Sequence, residues 1–153
     1  MQADFSYPSH APLIRLLNVA LDSFVQELQT RLQAAGLGDI RPGHGCVFGG
    51  IDPEHGSRLT ELAERALMTK QSVGEFADDL ERHGYLERVP DPSDGRAKII
   101  RLTDRGRKAY AIGRGLVDEI ERQWAERYGE ERVEALRDAL EAITAERLGA
   151  MPA

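Results

Sequence analysis

Residues 57–107, SRLTELAERALMTKQSVGEFADDLERHGYLERVPDPSDGRAKIIRLTDRGR, carry two helical ladders followed at once by an alternating stretch, and few folds accommodate that order. Leu59, Leu62, Ala63 and Ala66 stand at i, i+3, i+4 and i+7, on one face of a short helix. After a turn at Leu67 and Met68, Val73, Phe76, Ala77 and Leu80 repeat that spacing. Thr69 is placed to cap this second helix and Gly84 to end it in a left-handed conformation. Two helices joined so closely form a helix-turn-helix. Tyr85–Val89 then leans towards strand, and Ala97–Thr103 alternates, with Ile100 and Leu102 on one face and Ile99 and Arg101 on the other. Between them Pro90-Asp91-Pro92-Ser93-Asp94-Gly95 is dense in turn-forming residues, so the predicted hairpin has its tip there.

On the second helix, the face opposite the apolar stripe carries Gln71, Gly74, Glu75, Asp78 and Arg82. Its first turn offers amide, hydroxyl, lysine and glycine, whereas its later turns are acidic. Phosphates would repel Asp78, Asp79 and Glu81, so a DNA-binding role requires the amino-terminal end to enter the major groove. Lys70, Gln71 and Ser72 can bond base edges there, and Gly74 would let the backbone come close.

Helix, turn, helix and hairpin is the order of a winged helix. The run DPSDGRAKIIRLTDRG resembles the wing signature of the MarR (multiple antibiotic resistance regulator) family, whose pattern is D-P-x-D-x-R, a short strand, then L-T-x-x-G. Leu62-Ala63-Glu64-Arg65 and Leu80-Glu81-Arg82-His83-Gly84-Tyr85-Leu86 match upstream elements in the same order. The resemblance implies a mainly α fold with a small β-hairpin wing and a helical dimerisation domain. It also implies that Arg96 enters a minor groove while Asp94 holds it. Ser57, Thr69, Lys70, Gln71, Ser72, Gly74, Asp94, Arg96 and Lys98 are therefore the candidate DNA contacts. The implied partners are a pseudo-palindromic double-stranded operator, a second copy of the chain, and a small aromatic or amphipathic effector bound between the dimer helices and the DNA module.

The net charge of −6 argues at first against nucleic acid. Its distribution softens the objection. Between Arg88 and Lys108 there are seven basic and three acidic residues, leaving 13 basic and 23 acidic residues in the rest of the chain. Positive charge is thus concentrated where a wing would meet phosphates.

Outside this module, Leu13, Leu17, Ala20, Leu21, Phe24, Leu28 and Leu32 form an apolar stripe from about Pro12 to Ala35. Its length suits a dimer interface; the alternative is a core helix within one domain. Thr103 is placed to cap a helix running to about Tyr128, with Tyr110, Leu116, Val117, Ile120 and Trp124 as its apolar positions. Gly129 would break it. A last helix carries Val133, Leu136, Leu140, Ile143 and Leu148. The expected division is residues 1–35 and 104–153 for dimerisation and 36–103 for the winged helix-turn-helix, within one compact chain. Residues 1–11 are expected to form an arm or a strap across a partner subunit.

Other chemistry finds little support. Gly36–Gly50 carries six glycines, but Phe48 stands where a dinucleotide fingerprint needs its third glycine, and no Gly-Lys-Ser/Thr follows. The region is expected to be a short second helix, irregular because of its glycines, with Cys46, Val47, Phe48 and Ile51 inward. Four histidines and one cysteine do not supply a zinc set around His44 and Cys46. Cys46 is expected to be an inert thiol, with a redox sensor as the alternative. No nucleophile–base pair or carboxylate pair is placed for catalysis, and Asp78-Asp79 and Glu130-Glu131 are expected to be solvated. No cofactor is expected. Composition (41% hydrophobic, 30% charged), the lack of an 18-residue apolar run, a signal-free start and a single cysteine point to a cytoplasmic protein without a membrane span. The functional expectation is a homodimeric transcriptional regulator, a repressor released by ligand; the alternative is a winged-helix protein-interaction module that does not bind DNA.

Overall fold

The computed structural model describes residues 10–148, with side chains through residue 145. The helices are α1 (Leu13–Ala34), α2 (Gly45–Phe48), α3 (Leu59–Ala66), α4 (Lys70–Arg82), α5 (Asp104–Tyr128) and α6 (Glu130–Leu148), with a 3₁₀ turn at Pro42–His44. Strands β1 (Leu86–Asp91) and β2 (Asp94–Leu102) form an antiparallel hairpin. Most of the proposed arm precedes residue 10 and lies outside the described residues.

The two ladders fold as their spacing predicts. Leu62 and Ala63 on α3 and Val73, Ala77 and Leu80 on α4 are buried, and Val47, Tyr85, Ile100 and Leu102 close the same core. The Thr69 hydroxyl accepts the Ser72 N–H at 3.1 Å, which satisfies one of the free donors at the start of α4. Gly84 ends α4 at φ +79, a conformation in which any other residue would set its Cβ against the backbone. Leu67, in the turn between the helices, takes φ +53, which is unusual for a branched side chain.

The glycine-rich segment forms only a 3₁₀ turn and one turn of α2. Val47 and Ile51 are buried as expected, whereas Cys46 and Phe48 are half-buried. Burial raises the Cys46 thiol above its ordinary value, which disfavours the thiolate.

Thr103 caps α5 by accepting the Gly106 N–H at 3.0 Å. Gly106 itself is buried, because the first turn of α5 lies on the Tyr85 carbonyl, which also accepts the Thr103 N–H. This contact gives the glycine of L-T-x-x-G a physical reason: no side chain fits between the helix and the start of the hairpin. Farther along, α5 packs on α1 and α6, with Phe24 and Trp124 edge-on at 5.3 Å. Leu32 and Ala109 join the winged-helix core. The first half of α1 is different: Leu13 and Leu21 are 76% and 64% exposed. Ile143 on α6 is also exposed. No helix among the described residues is long and apolar enough to cross a membrane.

Candidate nucleic-acid interface

The candidate interface has two edges, the first turn of α4 and the tip of the hairpin. In α4, Thr69, Lys70 and Gln71 are exposed, and Ser72 and Gly74 are half-buried. The Thr69 hydroxyl also donates to the Ser72 Oγ at 2.9 Å, so these two hydroxyls fix each other. Gln71 makes only a long contact, 3.5 Å, to Glu75 one turn on. Gly74 faces Leu59, where a Cβ would sit at an ordinary 3.7 Å. Packing within the chain therefore leaves room for a side chain there.

The later, acidic turns of α4 are neutralised within the chain. Arg88 of β1 reaches back and pairs with both Asp78, at 2.7 Å, and Glu81. Asp79 corrects the expectation of a solvated pair: it is 8% exposed and faces inward, bonded to Arg41, His44 and Arg82. The Arg41 N–H donates to His44 Nδ1 at 2.9 Å, so it is His44 Nε2 that carries the proton and donates to Asp79 at 2.8 Å. Burial lowers the His44 pKa against the pull of Asp79, in keeping with this neutral tautomer. Asp79 in turn is held down to about 2, first by the Arg41 hydrogen bond. The phosphate repulsion expected of these carboxylates is thus largely cancelled before any partner approaches.

The hairpin differs from expectation at its tip. Its turn is only Pro92-Ser93, and the strands run through Pro90, Asp91 and Asp94. The register shifts between Pro90↔Lys98 and Asp91↔Asp94, so Gly95, Arg96 and Ala97 form a bulge in β2 that turns the strand locally. Arg96 and Lys98 are exposed, and neither side chain has a partner among the described residues. Asp94 accepts the backbone N–H of Arg96 at 3.1 Å, holding its main chain rather than its guanidinium.

Composition and spacing did not single out the residues that brace this tip. Asp91 is 6% exposed, accepts from both the N–H and the hydroxyl of Ser93, and is gripped by Arg58 at the start of α3. Its pKa falls to about 2, chiefly through the Ser93 bonds and then Arg58. Asp-Pro-Ser is a signal for an aspartate that folds back on its own turn, but its arginine partner lies 33 residues away. Ser57 is a second correction. It is 1% exposed, and its hydroxyl accepts from the Asp52 N–H and from Arg65, so it anchors the loop before α3 and presents nothing outward.

Beneath this module lies a cavity of about 290 Å³ between α1, α2 and α5. Val25, Leu28, Leu32, Phe48, Tyr110 and Val117 form its apolar wall. No group of acidic, histidine or cysteine residues suited to a metal occurs among the described residues.

Residues 41–97 match the MarR family model. Transcriptional regulator HosA of Escherichia coli O111:H- is 29% identical over 97 residues, 63% of this chain and 72% of HosA. The repressor CouR, solved on a 23-mer DNA duplex, superposes with a TM-score of 0.74 at 26% identity over 86% of this chain and 92% of CouR. CouR from Rhodococcus jostii RHA1 bound to p-coumaroyl-CoA shares the fold with a TM-score of 0.71 at 22% identity, covering 90% and 92% of the two chains. These relatives are regulators, not enzymes, and their likeness spans helices and hairpin alike. With its helix-turn-helix, its hairpin and the matching stretch between Arg41 and Ala97, this chain is similar to the MarR family of winged-helix transcriptional regulators.

Proposed function

We propose that the chain acts as a homodimeric repressor that reads a pseudo-palindromic DNA operator and is released by a small amphipathic ligand. The observation that carries this reading is the internal neutralisation of α4. With Asp78 and Glu81 paired to Arg88 and Asp79 turned inward, the exposed first turn with Lys70 and Gln71 can approach a phosphate-rich groove. Thr69, Ser72 and Gly74 shape that turn, and Arg96 and Lys98 on the wing, with Asp94 holding the bulge, are its minor-groove and backbone contacts. CouR, solved on a DNA duplex, supports a DNA partner.

The exposed leucines of α1 and the facing parts of α5 and α6 suit a second copy of the chain, with residues 1–35 and 104–153 as the dimerisation region and 36–103 as the DNA module. The cavity between them is the effector site in this reading, and its apolar wall supports that placement. A ligand that binds one dimer state better than the other shifts the population of DNA-competent molecules. A half-buried single cysteine and the absence of any apolar span among the described residues fit a cytoplasmic setting.

The test is a DNA-binding selection with the purified protein at two salt concentrations. Enrichment of a near-palindrome, with affinity falling steeply as salt rises, is the expected result and gives the half-site spacing directly. Failure to enrich any sequence, with no salt-dependent binding, overturns the proposal and favours a protein-interaction module.

A further inference from the structure

The effector reading above leaves open what chemistry the cavity takes and how its occupancy would reach α4. Its charged lining is one-sided: Arg41 and Arg114 contribute to it beside the uncharged Gln29 and Tyr110, and no Asp or Glu does. Arg114 has no ion pair or hydrogen bond among the described residues. An apolar wall with two arginines among its lining residues and no carboxylate suits an amphipathic anion, whose charge would be desolvated against cations rather than against hydrocarbon.

Arg41 is also tied elsewhere. Its guanidinium bonds Asp79, on the inner side of α4, and its backbone N–H bonds His44, which bonds the same carboxylate. Gly43, between them, lies against the Phe76 ring, and His44 meets that ring edge-on at 6.0 Å. The segment from Arg41 to Gly45 therefore has the cavity on one side and α4 on the other. Asp79 does not line the cavity.

We infer that Arg41 is shared between two anions: the charged end of an amphipathic ligand in the cavity, and Asp79 on α4. A ligand anion that draws Arg41 away loosens the Asp79 tie, and α4 shifts relative to the rest of the chain. The inference rests on the cavity being the effector site. It goes further in assigning the ligand's charge and the residue that relays its presence. By reciprocity, anything that weakens the Asp79 tie must strengthen ligand binding by the same factor.

The probe is 8-anilinonaphthalene-1-sulfonate, an aromatic anion whose fluorescence reports binding, together with anisotropy of a labelled operator from the selection. The wild-type chain is expected to bind the probe saturably and to lose operator affinity about tenfold at saturation, within the usual range of such couplings. Arg41→Gln and Arg114→Gln should each weaken the probe. At saturating probe, Arg114→Gln should keep the effect on the operator and Arg41→Gln should lose it, with Arg41→Lys restoring part. Asp79→Asn, which can still accept from His44, should bind the probe about threefold or more tighter, because Arg41 is released. Circular dichroism identifies a variant that fails to fold. The Arg41 variants, altered at a side chain that is 63% exposed, carry the test if Asp79→Asn does not fold.

An unchanged probe effect on the operator in Arg41→Gln overturns the relay. So does an unchanged or weakened probe affinity in folded Asp79→Asn. Absence of probe binding to the wild type overturns the anion assignment, and leaves the operator reading to stand or fall on the selection alone.

Discussion

Gly106→Ala is expected to be the most damaging single methyl group that can be added to this chain at a described glycine of a helix. A Cβ on Gly106 would stand on the Tyr85 carbonyl oxygen, 3.0 Å from the carbonyl carbon and 3.3 Å from Leu102 Cδ2. Non-bonded carbon needs about 3.5 Å, so α5 must retreat by roughly an ångström at its first turn. Both sides of the clash include backbone, which cannot rotate away. The same carbonyl accepts the Thr103 N–H at 3.1 Å, so the retreat also strains the bond that seats the cap of α5. Overpacking of this kind costs about 1–3 kcal/mol, and the rigid partners place it near 3. For a chain of this length that is a fall in Tm of roughly 10 °C.

Gly115→Ala, on the same helix, is the internal control. Nothing lies within 4 Å of a Cβ there, so the helix gains propensity alone, about 0.5–1 kcal/mol of stabilisation. Both variants should be melted at one protein concentration, since dimerisation adds to apparent stability. Equal melting temperatures for Gly106→Ala and the wild type would refute the account of the L-T-x-x-G glycine given above. Shifts of opposite sign on one helix cannot arise from helix propensity, which predicts that both alanines stabilise.

Thr69→Ala removes the side-chain N-cap of α4 and should cost about 1 kcal/mol in urea denaturation, while Thr69→Ser should restore most of it. Arg96→Ala should weaken operator binding by roughly 1–3 kcal/mol and leave the dimer intact by sedimentation, because the side chain has no partner within the described chain. Unchanged binding would remove the wing from the mechanism. Substituting Gln71 should alter the enriched sequence more than the overall affinity, and a repeated selection returning the same motif would show that it reads no base. Asp79 and Asp91 are held near 2 in the fold, below their ordinary value of 3.8, so the stability they contribute is present above about pH 5 and is lost as pH falls through 4 towards 2. Urea midpoints measured across that window should drop, and drop less in Asp91→Asn.

Most of the winged helix was legible because its signals are local. The i, i+3, i+4 ladders, the Thr69 and Thr103 caps and the alternation of Ile100 and Leu102 each depend on residues within a few positions of one another. What escaped depends on distant partners. Asp78, Asp79 and Glu81 read alike in the sequence, yet Arg88 neutralises two of them and Arg41 with His44 buries the third. Ser57 looked like an available hydroxyl until Arg65 and the Asp52 N–H claimed it. The sequence predicts a hairpin tip of six turn residues, because proline and Asp-Gly both favour reversal. In the fold, Arg58 gripping Asp91 tightens the turn to two residues and passes the surplus into a bulge that exposes Arg96.

The uneven charge of the chain gives it a front and a back. Of the seven cations between Arg88 and Lys108, Arg96, Lys98 and Lys108 have no ion pair among the described residues, while the remainder of the chain is strongly acidic. Near any polyanion such a molecule experiences a torque before it makes a contact, so random encounters become hairpin-first ones. Approaches through the acidic helices are turned away by the same field. The acidic total charge that first argues against a nucleic-acid partner then serves as a filter on orientation, and it should show itself in association rate more than in residence time.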